Sequence, residues 1–211
     1  MVTLYLCILL SLLFVTAFGI LSRQFLSTTR YEYAYTILWQ LASGLLALLF
    51  LPFDSFSLHV TPHVLLLFVL SIGFYALADA FLFSGYKYEE ASVLSALLPL
   101  SYVFTFLVTV VFFQAHLTLS IGIGFIIIMG ASFLVGFFHS KFKPSKGVVF
   151  GLFTAFFSGT ALGFNSEVVK NFSVAPYLFA AFVFPALVNF LVFLRPQVAH
   201  LTYELKMQWK G

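Results

Sequence analysis

The sequence predicts an all-helical membrane protein, a polytopic bundle of about seven transmembrane helices. Charged residues make up 8% of the 211 residues and hydrophobic residues 62%, whereas a soluble domain carries about 25% charged residues. The apolar stretches approach the roughly 20 residues that a helix needs to cross the hydrocarbon layer. They are continuous, whereas the strands of a membrane barrel alternate apolar and polar residues. Helices are therefore the expected spanning elements.

Each predicted helix corresponds to one apolar stretch. In chain order these are residues 2–21, 34–52, 64–84, 91–113, 117–138, 148–167 and 175–194. The first stretch has no Lys or Arg ahead of it and is too long for a signal core, so we expect it to be retained as a helix. It holds the single cysteine, Cys7, so we expect neither a disulfide nor a cysteine-based metal site. We expect no cofactor.

The positive charges predict how the bundle lies in the membrane. Nine of the ten Lys and Arg residues fall in alternate connections or after the last span, and only Lys170 falls on the other side. Short loops rich in Lys and Arg stay in the cytoplasm. We expect a protein of the cell membrane with its N-terminus outside and residues 195–211 in the cytoplasm. A net charge of +3, spread over loops, does not favour a nucleic-acid partner.

Part of the sequence is repeated. TAFGILSR begins at Thr16 and TALGFNSE begins at Thr160, and seven positions match when residues 16–52 are laid over 160–196. Composition alone gives roughly three matches in such a window. Five spans lie between the two copies, and an odd number inverts the second copy, as in many secondary transporters. The alternative is two unrelated spans that share small residues.

A family resemblance rests on residues 74–136. "YKYEEAS" leads into a span with Pro99, and "LTLSIGIG" leads to Gly130 and a Gly136 ending. This pattern resembles the EamA domain of the drug/metabolite transporter superfamily. The resemblance implies two five-helix halves, a central cavity and transport of small metabolites, amino acids or drugs. The chain departs from the family pattern at residues 114–116, where a frequent Glu is replaced by Gln-Ala-His, and it lacks the final three spans.

The resemblance and the repeat together define the expected domains. Residues 1–138 form a first repeat of five helices, residues 139–147 form a basic connecting loop, and residues 148–211 form an incomplete second repeat with two helices and a tail. We expect a lipid bilayer and a small-molecule substrate as partners. A second copy of the chain, or spans beyond Gly211, could complete the bundle.

Polar residues inside the spans are the candidates for substrate binding. Asp79 is the only acidic residue deep in a span, where a carboxylate is costly and usually faces a cavity or a partner. Tyr75 lies one helical turn before it on the same face. The other candidates are Gln40, Trp39, Asn189 and Pro99, because polar amides and proline kinks can line a cavity. Each could instead be structural: Asp79 as a paired carboxylate, the amides as hydrogen-bonding groups between helices, and the proline as a source of static curvature.

Small residues predict helix packing. Gly159 and Gly163 form one stripe, and Ala76 and Ala80 belong to another. Such residues allow the backbones of membrane helices to approach closely. Asn165 and Glu167, at the end of the sixth span, are expected to anchor that span at the interface.

The function predicted is membrane transport by alternating access, as an exporter or permease. An enzyme is not expected, and no catalytic residue is assigned, because the sequence holds neither HExxH nor Gly-x-Ser-x-Gly. Two alternatives remain open. One is a seven-helix receptor or scaffold, and the other is a fragment of a membrane protein without transport of its own.

Overall fold

The computed structural model describes residues 2–28, 32–54, 60–116, 118–139 and 145–194. Helix is the regular structure of these ranges, and no strand occurs among them apart from an isolated bridge at Phe172. The all-helical prediction is therefore confirmed for the described part of the chain.

The described elements follow one another as a series of α-helices, some of them extended by a short 3-10 or π segment. They are α1 (Val2–Thr28), α2 (Glu32–Ala47, extended by the 3-10 segment Leu48–Phe53), α3 (Pro62–Tyr88), α4 (Ala91–Leu97), α5 (Leu100–Phe113), α6 (Leu119–His139), α7 (Lys146–Val168, extended by the 3-10 segment Val169–Asn171) and α8 (Val174–Asn189, extended by the π segment Phe190–Leu194).

Five helical segments of the described chain are long and apolar enough to cross a membrane. They are Glu32–Phe53, Pro62–Tyr88, Ala91–Phe113, Lys146–Asn171 and Val174–Phe193. Each corresponds to a predicted span, and their apolar character supports a multi-pass membrane protein. The remaining two predicted spans coincide with α1, of 27 residues, and α6, of 21 residues. A total of seven spans and the inverted repeat stay predictions.

The centre of the bundle is the contact between α3 and α7. Ala76 on α3 and Ala161 on α7 are fully buried, and the Ser71 hydroxyl donates to the Ala161 carbonyl oxygen at 3.3 Å. Stacked phenylalanine rings continue the contact, with Phe81 and Phe157 centred 5.5 Å apart. These small and aromatic side chains fix α3 beside α7, and both helices contribute to the candidate site.

Proline marks a break in the fourth apolar segment. Pro99 lies between α4 and α5, and the Ser101 amide donates a hydrogen bond to the Leu98 carbonyl oxygen at 2.9 Å. Proline has no N–H to donate to the preceding turn, so the regular helix is interrupted there. Gln114 ends α5 in the left-handed region, with φ of 55°.

The helix α8 packs on α2 and also touches α3. A Cβ built on Gly44 of α2 would lie 2.7 Å from Val183 of α8, so only glycine allows this approach. At one end of the bundle, Asp54 accepts a hydrogen bond from the Ala175 amide at 2.7 Å. We call this the Asp54 end, and the opposite end, where α3 finishes, the Lys87 end.

Candidate functional site

A polar cavity of about 240 Å³ lies between α3, α7 and α8. Its walls combine one carboxylate, one amide, two phenols and apolar side chains: Tyr75, Asp79, Asn165, Tyr177, Leu178, Ala181 and Phe182. Helices that are apolar on most faces place these polar groups together inside the bundle. We refer to this cavity as the Asp79 pocket.

A chain of amides and a carboxylate lies beside the pocket. Gln40 of α2 donates from Nε2 to Asp79 Oδ2 at 2.6 Å, and Asn189 of α8 donates from Nδ2 to Gln40 Oε1 at 3.1 Å. Gln40 and Asn189 are both fully buried, whereas Asp79 is partly open to the pocket. Three helices that are distant in sequence therefore meet through one hydrogen-bonded row.

Some acceptors of this site have no donor among the described residues. Asn165 donates from Nδ2 to the Tyr75 hydroxyl at 3.4 Å. Within the described ranges, the buried oxygens Asn165 Oδ1 and Asn189 Oδ1 have no hydrogen-bond partner. Asp79 Oδ1 likewise receives no hydrogen bond from a described residue. Buried polar atoms are almost always satisfied in native proteins, so the two asparagine oxygens are open to a further donor.

The proline in α8 leaves one backbone carbonyl oxygen of the pocket lining without its helical donor. Pro185 lies inside α8 and has no N–H, so it cannot donate to the carbonyl oxygen four residues earlier. That residue is Ala181, which lines the pocket. α8 thus carries, at a residue that lines the pocket, a backbone carbonyl without its usual helical donor.

The structure brings four of the six predicted binding residues together. Asp79 and Tyr75 line the pocket, and Gln40 and Asn189 form the row that reaches Asp79. Trp39 lies elsewhere: its side chain is 38% exposed and its ring packs on Phe18, with centroids 4.2 Å apart.

Pro99 also lies away from the pocket, at the break between α4 and α5.

Sequence reasoning overlooked two pocket residues. Asn165 was expected to anchor α7 at the interface, yet it is 92% buried, with 8% of its surface exposed, and it contacts Tyr75. Tyr177 was not among the six predicted binding residues. The sequence feature that could have identified Asn165 as a pocket residue is its polar side chain inside an apolar span.

The residues predicted for packing lie at helix contacts. A Cβ on Gly159 would lie 2.3 Å from the Ser101 carbonyl oxygen, and one on Gly163 would lie 2.6 Å from Val108, so both glycines lie where α7 touches α5. Ala76 and Ala80 are buried in α3. These positions hold the helices that carry the pocket.

A second polar cluster occupies the Lys87 end. Lys87 pairs with Glu32 at 2.8 Å, and Arg23 donates to the Lys87 carbonyl oxygen at 2.6 Å. The buried Glu89 accepts a hydrogen bond from the Ser145 hydroxyl, which also caps α7. Each of these side chains has a hydrogen-bond or ion-pair partner among the described residues. We call these five residues the end network.

A second, apolar cavity has the wrong chemistry for a selective site. It measures about 440 Å³ and is lined by apolar residues of α3 and α8 such as Phe68 and Leu187, with no polar side chain in its lining. Such a groove can hold lipid chains, but it offers no group that fixes the orientation of a ligand. Among the described residues, no cluster of three His, Cys, Asp or Glu could hold a metal.

Comparison with known proteins identifies no relative: no family model, curated protein or solved structure matches the chain. The resemblance to the EamA domain therefore stays a prediction.

Proposed function

We propose that the protein is a membrane transporter of small solutes that works by alternating access, in the manner of the EamA transporters that its sequence resembles. The observation that carries the proposal is the Asp79 pocket, a polar cavity between helices long and apolar enough to span a membrane. An ionisable residue at such a position is costly in lipid and is ordinarily retained for function.

The incomplete hydrogen bonding of the pocket supports solute binding over a purely structural role. Polar residues that only hold helices together satisfy one another, as Lys87 and Glu32 do. Asn165 Oδ1 is buried and unpartnered, and burying such a group without a hydrogen bond costs about 1–3 kcal/mol. A bound solute that donates to it would offset that cost.

The position of the pocket supports access from one side at a time. Asp79 lies nine residues, about 14 Å of helix, from the end of α3 at Tyr88. The end network occupies the Lys87 end with ion pairs and hydrogen bonds. The pocket residues Tyr177 and Asn165 lie toward the Asp54 end, near the start of α8 and the end of α7. On the orientation proposed from the charges, this arrangement favours entry of the solute from outside.

The transport proposal is tested with the purified full-length chain in sealed liposomes, with and without an imposed pH gradient. Uptake of radiolabelled leucine, phenylalanine and 2-phenylethylamine is compared with uptake by protein-free liposomes. We expect uptake of at least one solute above that background. We expect Asp79→Asn to abolish it and Glu167→Gln to preserve it, because Glu167 lies outside the pocket in an exposed pair with Lys170.

Two results would count against the proposal. Uptake of every solute at the protein-free level would remove the transport function. Uptake by Asp79→Asn with unchanged rate and gradient dependence would remove Asp79 from binding and from coupling to protons.

A further inference from the structure

The chemistry of the Asp79 pocket narrows the solute class. Resting on the proposed transport function, we infer that the pocket binds the ammonium group of a small primary amine that carries no carboxylate. The inference is drawn from the hydrogen-bonding balance, the charge, the aromatic lining and the size of the cavity.

The hydrogen-bonding balance calls for a ligand with several donors. Asn165 Oδ1 is buried without a partner, and Asp79 Oδ1 receives no hydrogen bond from a described residue. The Ala181 carbonyl oxygen lacks its usual helical donor, because the residue four positions later, Pro185, has no N–H. A primary ammonium presents three N–H donors on one atom. It can therefore reach several of these oxygens at once, which a hydroxyl with a single donor cannot do.

The charge balance calls for a cation. Asp79 is the acidic residue of the pocket, and no Lys, Arg or His lines the same cavity among the described residues. Its hydrogen-bond donor, Gln40, is neutral. A buried charge without a partner is unfavourable, and a ligand cation would supply that partner. A free amino acid would also bring a carboxylate beside Asp79, where like charges repel and no cation of the pocket compensates.

The lining and the size agree with a small aromatic or aliphatic amine. Tyr75, Tyr177 and Phe182 border the cavity, and the faces of aromatic rings attract cations. The volume of about 240 Å³ lies below the range of roughly 300–1,000 Å³ that is common for drug-sized ligands. The pocket therefore favours amines with few heavy atoms over extended drug-like cations.

The test measures binding by titration calorimetry with the full chain in lipid nanodiscs. Three probes share a phenyl ring: 2-phenylethylamine, the neutral 2-phenylethanol and the zwitterion phenylalanine. We expect 2-phenylethylamine to bind at least about tenfold more tightly than either of the others, because hydrogen bonds to charged groups are stronger than those between neutral groups. Circular dichroism verifies that each variant is folded.

Variants locate the preference within the pocket. Asp79→Asn should make the affinities for amine and alcohol equal, and Asn165→Leu should weaken amine binding about fivefold or more because one acceptor is lost. Glu167→Gln, outside the pocket, should bind like the parent. Equal affinity of the parent for amine and alcohol, tighter binding of phenylalanine, absence of amine binding, or an undiminished preference in Asp79→Asn would each overturn the inference.

The outcomes separate this inference from the transport proposal. Amine binding without uptake into liposomes would contradict transport and leave the amine site standing. Uptake of leucine or phenylalanine by a protein that does not bind 2-phenylethylamine would contradict the amine site and leave transport standing.

Discussion

The two polar clusters of the molecule differ in how completely they are paired. In the end network, Lys87 meets Glu32 and Glu89 meets Ser145. In and beside the Asp79 pocket, by contrast, buried oxygens of Asn165 and Asn189 have no donor among the described residues. Full pairing is expected of groups that hold a fold together, whereas unpaired acceptors beside a cavity are expected where a ligand completes the site. We therefore expect the end network to stabilise the fold and, on the proposed function, the Asp79 pocket to bind a ligand.

The sharpest structural test of the end network is Gly147→Ala. A Cβ at this position would lie 2.3 Å from the Glu89 Cβ and 2.9 Å from its backbone nitrogen. Because backbone atoms must move, we expect a loss of about 1–3 kcal/mol in the free energy of unfolding, measured by denaturant titration in micelles. Gly124→Ala is the matched control, since a Cβ there meets nothing within 4 Å. Equal stability of the two variants would show that the contact between α7 and Glu89 is loose.

The same change of carboxylate to amide should act oppositely in the two clusters. Glu89→Gln should lose about 1–2 kcal/mol, because hydrogen bonds to a charged acceptor are replaced by weaker ones. Asp79→Asn should keep or gain stability, by up to about 1 kcal/mol, because a carboxylate without a counter-charge is removed. The unfolding free energies of both variants are compared under one condition. A larger loss in Asp79→Asn than in Glu89→Gln would reverse the comparison.

Two asparagines of the pocket region differ in the length of the hydrogen bond that each donates. Asn189→Leu should cost about 0.6 kcal/mol, the average for a hydrogen bond between membrane helices, because the bond of 3.1 Å to Gln40 is lost. Asn165→Leu should cost less, because its bond to the Tyr75 hydroxyl is longer, at 3.4 Å, while both changes remove an unpartnered oxygen. Thermal unfolding in detergent, followed by circular dichroism, measures both. A clearly larger loss for Asn165→Leu would mean that its oxygen is satisfied in the folded protein.

The smallest expected effect concerns the ion pair of the end network. The side chains of Lys87 and Glu32 are partly exposed, at 23% and 12%, so a double-mutant cycle with Lys87→Met and Glu32→Gln should give a coupling of about 0.2–1 kcal/mol. High salt should reduce that coupling. A coupling above about 2 kcal/mol at high salt would show that the pair is shielded from solvent.

Much of the fold could be predicted because composition and length determine it. Apolar stretches near 20 residues predicted the positions of the five helical segments that are long and apolar enough to span a membrane, and Pro99 lies where the fourth stretch breaks. The 3-10 and π extensions of α2, α7 and α8 carry no comparable signal, since such segments depend on how a helix end packs.

The candidate site could be predicted only in part. The helical period placed Tyr75 and Asp79 on one face. It could not show that Gln40 and Asn189, which are 149 residues apart, form a hydrogen bond. Nor could it show that Asn165 turns into the bundle, because the direction of a polar side chain near a helix end depends on which helix packs beside it. These features of the site depend on contacts between helices, which the helical period of a single segment does not reveal.

Access to the pocket from both membrane faces is the central claim, and the single cysteine allows a direct measurement. Ala181, which lines the pocket, is changed to Cys in a Cys7→Ala background, and a charged, membrane-impermeant thiol reagent is added outside sealed vesicles or trapped inside them. Leu66→Cys, on an exposed apolar face, is the control that should stay unmodified. Alternating access predicts that the Cys at 181 is modified from either side and that a bound substrate slows both reactions. Modification from one side only would contradict the account.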